Sequence, residues 1–161
     1  MNNTITIGIS DMKIAKNSET LVTYALGSCV GICLYDSIMK IGGLGHIMLP
    51  IFPPNNPKES KLRFADTCIP EMITQMERMG CNRRRLIAKI AGGAKMFNVA
   101  GDSSFGNIGK RNVEAVKDTL KKYQIGIYAE DTGLNYGRTV YFYPLDGKMV
   151  VKSFAKGIKT Y

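Results

Sequence analysis

The chain has 161 residues, a formal net charge of +9, 45% apolar and 22% charged residues. That balance predicts a single globular domain over residues 1–161 with a sizeable core, and excludes a disordered or fibrous chain. No apolar run approaches the roughly 18 residues of a membrane span, and the opening MNNTITIGIS has neither the basic nor the apolar region of a secretory signal. The expected compartment is therefore the cytoplasm, with no membrane insertion.

Thr4 to Ile9 alternates and predicts a strand, as does Lys13 to Lys16; after a polar break, so does Leu21 to Leu26. Gly27 and Ser28 interrupt the run just before Cys29. Val30 to Tyr35, a polar turn at Asp36 to Lys40, and Ile41 to Leu49 read as a β-hairpin. A turn centred between Ser37 and Ile38 pairs Tyr35 with Lys40 and places Cys29 directly opposite His46, the single histidine. Opposed residues of an antiparallel pair share a face, with Cβ atoms roughly 4.5–5.5 Å apart. The prolines at 50, 53, 54 and 57 end the hairpin in a loop that can rim a cleft.

Ala65 to Met79 carries Ile69, Met72, Ile73 and Met76 at helical spacing and stops at Gly80. Pro70 fits that helix only in its first turn or at a kink. Leu86 to Ala91 reads as a buried strand, Asp102 to Gly109 as a glycine- and serine-rich loop, and Lys110 to Tyr123 as a second helix. Ile125 to Glu130, Arg138 to Tyr143 and Lys148 to Phe154 complete the strands, the last two joined through Asp146-Gly147. The order predicts an α+β fold: a layered sandwich of mixed, largely antiparallel sheets with about two main helices.

The four cysteines are irregularly spaced and form no CxxC pair, so they read as free thiols, and with one histidine no metal site is expected. The glycines at 42, 43 and 45, and Gly92-Gly93-Ala94-Lys95, fall short of a phosphate-loop pattern. The Arg83 to Arg85 cluster reads either as a solvated surface or as a docking patch for an acidic partner; with no adjacent aromatic residue it does not suggest nucleic acid.

A cysteine within reach of a histidine forms a thiolate–imidazolium pair that is nucleophilic at neutral pH. The histidine then gives a proton to the leaving group. Thr23, on the preceding strand, has a hydroxyl that can accept the remaining imidazole N–H. Backbone amides at Gly27 and Ser28 are candidates to stabilise an oxyanion. The set suits acyl transfer through a thioester and needs no metal or organic cofactor.

Leu26-Gly27-Ser28-Cys29-Val30 and Gly45-His46-Ile47-Met48-Leu49-Pro50 resemble the CheD family of chemoreceptor glutamine deamidases. So do Gly92 to Phe97, Ile108 to Asn112, Ala129 to Asp131 and Asn135 to Arg138, in that order. The resemblance implies Cys29 as nucleophile, His46 as base and Thr23 as third member, on a sandwich related to the cytotoxic necrotizing factor deamidases. It implies conversion of receptor glutamines to glutamates with release of ammonia. It also implies two partners: the cytoplasmic helices of methyl-accepting chemotaxis receptors, typically acidic, and CheC, a phosphatase of phosphorylated CheY. An alternative within the same family is a weakly catalytic or non-catalytic adaptor that binds receptors and stimulates CheC.

Overall fold

The computed structural model describes residues 3–96 and 107–161. Ten strands form two sheets: β1 (Thr4–Thr6), β2 (Asp11–Lys16), β3 (Thr20–Leu26), β4 (Val30–Asp36), β5 (Ile41–Ile47), β6 (Ile87–Gly92), β7 (Gly126–Thr132), β8 (Arg138–Tyr143), β9 (Lys148–Ser153) and β10 (Gly157–Thr160). The helices are α1 (Ala65–Arg78) and α2 (Ile108–Lys122). One sheet has the order β1-β3-β8-β9-β10 and the other β2-β5-β4-β6-β7. Only β1 with β3 and β6 with β7 run parallel. The α+β sandwich is as the residue pattern predicts.

There are three layers. Both helices cover one face of the second sheet, where Ile32, Leu34, Ile47, Met72, Ile73 and Val116 are buried together. The other face packs on the first sheet through Leu21, Leu26, Cys33, Leu44, Ala91, Val140 and Phe142. Gly43 and Gly45 of β5 explain how α1 sits so close: a Cβ at Gly45 would lie 3.0 Å from Cys68 Sγ and from Met72 Sδ. The glycines are packing surface in a strand. Pro70 lies inside α1 beyond its first turn, where the ring removes one intrahelical hydrogen bond.

The hairpin forms, but its register differs from the expectation. Ser37 to Lys40 make a four-residue turn closed by Asp36 opposite Ile41. The Asp36 carboxylate accepts from the amides of Ile38 and Met39 at 3.0 and 3.2 Å, which the wider turn needs. The same buried carboxylate takes the Arg85 fork at 2.8–3.1 Å and the Asn82 amide at 3.1 Å. Burial alone would raise the Asp36 carboxyl, but these donors outweigh it and hold it below the usual range. Arg83 pairs with Glu77 at 2.9 Å. Two of the three clustered arginines thus tie the fold together.

Three further differences follow from tertiary contacts. The first strand is shorter than Thr4 to Ile9, because Ile7 to Ser10 turn between the sheets: Ile7 N donates to Val22 O and Ser10 N to His46 O. A bulge at Tyr24 and Ala25, with Ala25 at φ 57°, interrupts the β3–β8 ladder. β10 is an additional, fully exposed edge strand of the first sheet. The expected loop Asp102 to Gly109 lies outside the described residues through Gly106, and its last residues begin α2.

Candidate active site

Chain direction gathers one end of the sandwich into a site. There β3 ends, β4 begins, β5 ends and β6 ends. The segment Gly27-Ser28-Cys29 is the crossing from the first sheet to the second. The nucleophile candidate therefore sits on the connection between sheets, while Thr23 belongs to one sheet and His46 to the other.

Gly31, not Cys29, lies opposite His46. The slip of two residues from the expected register preserves the face, since side chains repeat with period two. Cys29 precedes the ladder and packs against the inter-sheet core. It is the one cysteine of the four that is not buried. Burial pushes its thiol up from the ordinary value, and its own backbone amide draws it partly back. Cys68, fully enclosed, is pushed up to about 12.

His46 is 1% exposed and Thr23 0%. The bulge makes their meeting compatible with the core: by turning the strand parity, it lets both Thr23 and Leu26 face inward. Thr23 Oγ1 lies 2.7 Å from His46 Nδ1 and 2.8 Å from the Ile7 carbonyl oxygen. A hydroxyl has one hydrogen, and the carbonyl can only accept it. Thr23 therefore donates to Ile7 O and accepts from His46 Nδ1–H. This fixes the tautomer and leaves Nε2 with its lone pair. Among the described residues, Nε2 has no hydrogen-bond partner although it is buried.

Burial lowers the His46 pKa to about 4. At neutral pH the imidazole is uncharged and the Cys29 thiol is protonated. A desolvated site disfavours both charges, and no hydrogen bond joins the two groups at rest. The arrangement is a partly exposed thiol and a neutral, tautomer-locked base at the same end of the sandwich.

The crossing loop is held through its carbonyls. Gly93 N donates to Cys29 O and Ala94 N to Gly27 O, both at 2.8 Å. Asn112 of α2, fully buried, donates from Nδ2 to Ser28 O at 2.9 Å and to Met48 O at 2.8 Å. With the carbonyls turned that way, the amide of Ser28 has no backbone acceptor among the described residues, and the Cys29 amide faces its own thiol. Gly92 makes the approach feasible, because a Cβ there, at φ 111°, would fall on the Cys29 carbonyl.

Comparison with known proteins bears on these observations. The family model for CheD, described as chemotactic sensory transduction, matches residues 48–153. A "Probable chemoreceptor glutamine deamidase CheD" of Caldanaerobacter subterraneus subsp. tengcongensis is 51% identical over 153 residues, covering 95% of this chain and 94% of that one. The chain belongs to the CheD family. Relatives carrying the same printed name in Syntrophomonas wolfei subsp. wolfei and Clostridium botulinum (strain Eklund 17B / Type B) are 45% and 46% identical over 157 residues. Each alignment covers 98% of this chain, with 98% and 97% of the relatives. The solved Bacillus licheniformis hypothetical protein YfiH aligns over 78% of this chain and 51% of its own, with TM-score 0.42 and 13% identity, a likeness too slight to carry weight. The family match begins at Met48, just past His46, so in this CheD family member the three site residues stand on their own geometry.

Asn112 is the residue that reading the sequence for chemistry missed. It lies far along the chain from Ser28 and Met48, and its only signal was its place in the Ile108 to Asn112 stretch of the CheD resemblance. Among the described residues, no group of three or more His, Cys, Asp or Glu side chains is placed to hold a metal ion. No helix among them is long and apolar enough to cross a membrane.

Proposed function

We propose that this protein deamidates glutamine side chains of chemotaxis receptors, with Cys29 as nucleophile, His46 as general base and acid, and Thr23 as the residue that orients His46. The observation that carries the reading is the buried, unpartnered Nε2 of His46, its tautomer set by Thr23 and Ile7, on the same inter-sheet side as the one thiol that is not buried. An unpartnered buried acceptor costs about 1–3 kcal/mol. A fold that retains one at the same end as a partly exposed thiol has a use for it.

The chemistry balances as follows. Cys29 passes its thiol proton to His46 Nε2 as sulphur attacks the glutamine carboxamide carbon. The charge on the carboxamide oxygen is met by backbone amides of the crossing loop, with Gly27 and Ser28 the candidates. The imidazolium returns the proton to the departing nitrogen, and ammonia leaves a thioester. Water, deprotonated by His46, then attacks the thioester carbon. Glutamate is released and Cys29 regains its proton. Because His46 starts neutral, it is ready to accept a proton without first losing one, the requirement of a base at neutral pH.

The substrate class is supported by relatives named as chemoreceptor glutamine deamidases along nearly the whole chain. CheC is the partner that family membership suggests. The test is incubation with purified receptor cytoplasmic fragments followed by mass spectrometry. The expected result is the mass gain of an NH2-to-OH exchange at specific glutamines, absent with Cys29→Ala. No gain on any cognate receptor, with CheC still bound, would leave the adaptor as the function.

A further inference from the structure

Large apolar side chains are left on the surface at both ends of the sandwich. Ile9, Tyr24, Ile51, Leu134, Phe154 and Ile158 are all exposed. Each lies at the Cys29 end of the sandwich, on the turns and strand ends that surround the crossing loop. The opposite end carries Ile38, Met39, Met79, Tyr128 and Leu145. The two ends differ in form: the hollow beside Tyr128 and Asp146 is the smaller, about 430 Å³. At the Cys29 end the first sheet opens into a groove of about 760 Å³. Its lining includes Ala25, Tyr136, Lys152, Phe154 and Ile158. Phe154, in the turn after β9, is fully exposed, and Ile158 is 67% exposed on the edge strand β10.

Two properties indicate what the groove takes. The first is continuity with the site. Ala25 lies on the strand that runs directly into Gly27-Ser28-Cys29, and Arg138, also in the groove wall, is the ladder partner of Leu26. The second is charge. Lys152 and Lys156 stand exposed beside Phe154, and Lys95, Lys110 and Arg111 are exposed across the loop. The carboxylate nearest the groove wall, Asp131, is cancelled: Arg138 Nε holds it at 2.8 Å and the Tyr161 hydroxyl at 2.7 Å. Lys152 lies 4.5 Å above the Tyr141 ring, keeping a cation on the rim of an aromatic surface. Apolar anchors within a polar, charged rim are the composition of an interface core.

We infer that the groove between Ala25, Phe154 and Ile158 is a docking exosite for the protein substrate, and that it grips an acidic segment whose apolar side chains flank the target glutamine. This rests on the deamidase reading of Cys29. A carboxamide side chain alone offers little to bind, so affinity must come from the segment around it. Phe154 and Ile158 supply buried area on docking, and the lysines select carboxylates and speed encounter.

The experiment uses full-length chain and a purified receptor cytoplasmic fragment. The paired variant Phe154→Ser with Ile158→Ser removes the anchors from exposed positions, where folding is not at stake. Expected is a rise in KM of roughly tenfold or more with kcat unchanged, as for loss of interface hot spots. Titration calorimetry on a Cys29→Ala background should show the same loss of affinity, and wild-type affinity should fall with added salt. Leu145→Ser at the far end should change neither quantity. Iodoacetamide should alkylate Cys29 at the wild-type rate in the Phe154/Ile158 variant, showing the site intact.

Wild-type KM and wild-type affinity in the paired variant would overturn the exosite. A wild-type chain that binds the fragment without deamidating it, and loses binding in the variant, would refute the chemistry and support the exosite. A wild-type chain that neither binds nor deamidates would refute both.

Discussion

Replacing Thr23 by valine removes one oxygen and keeps the shape. In the structure that oxygen serves two buried partners, His46 Nδ1–H at 2.7 Å and Ile7 O at 2.8 Å. Valine leaves a donor and an acceptor unpaired in a site with 0% exposure at position 23. Each orphaned group costs about 1–3 kcal/mol, so the loss of stability should be roughly 2–6 kcal/mol. For a chain of this length that lowers the melting temperature by several degrees. The catalytic effect is separate and larger. Without an acceptor at Nδ1, nothing holds the proton there, and the tautomer protonated at Nε2 cannot act as base. Loss of a tautomer-fixing partner should reduce kcat by at least about a hundredfold, with KM little changed. Deamidation of a receptor fragment reads the rate, and the nitrogen-15 shifts of the single imidazole read the tautomer directly. Wild type should show Nδ1 protonated and Nε2 bare; Thr23→Ser should restore both rate and spectrum. A wild-type imidazole protonated at Nε2, or a Thr23→Val variant at full rate, would refute the assigned roles.

The His46 pKa of about 4, below the unfolded value, means the unfolded chain binds the extra proton first. Stability is therefore fully present above about pH 6.5 and falls as pH drops toward 4, by up to roughly 3 kcal/mol from this group, measurable by denaturant titration across that range. Activity should persist to about pH 5 and vanish as His46 protonates. Alkylation of Cys29 in the free protein should show an apparent pKa above that of an ordinary thiol, because burial raises it; a value well below would restore the ion pair. Asn112→Asp replaces both donors to Ser28 O and Met48 O with a buried carboxylate facing two carbonyls. It should destabilise the protein by several kcal/mol and lower kcat more than KM, whereas Asn112→Gln, retaining the donors, should be the milder change. Gly92→Ala places a Cβ on the Cys29 carbonyl at φ 111° and should cost both folding stability and activity; a soluble, fully active variant would show that the loop has room to move.

Local signals in the sequence located Cys29, His46 and Thr23, and the structure places all three at one end of the sandwich. Most strand limits were also legible, because alternation and turn chemistry are local: Arg138–Tyr143 and the Asp146-Gly147 turn lie where their residues predict. The Cys29–His46 register was misjudged because Asp36 caps a four-residue turn, and carboxylate-to-amide bonds across a turn leave no periodic trace. The same-face inference survived since the slip was even. The bulge at Ala25 had no signal either, because a positive φ at alanine is imposed by the pairing with β8. The resting charge state is illegible in the sequence for a different reason. Spacing suggests proximity, whereas burial, which fixes the pKa values of Cys29 and His46, emerges only when the two sheets close.

The crossing loop ties the reactivity of the protein to its assembly. Thr23 and His46 come from different sheets, and Cys29 lies on the strap between them. Neither sheet alone contains the machinery, so a partly folded chain whose sheets have not closed holds only an ordinary cysteine and an ordinary histidine. During synthesis the strap emerges early, but β8, which seats Thr23, comes more than a hundred residues later. On the proposed chemistry, competence requires the two sheets to have closed. Enzymatic activity should disappear in step with global unfolding, making it a reporter of sheet closure.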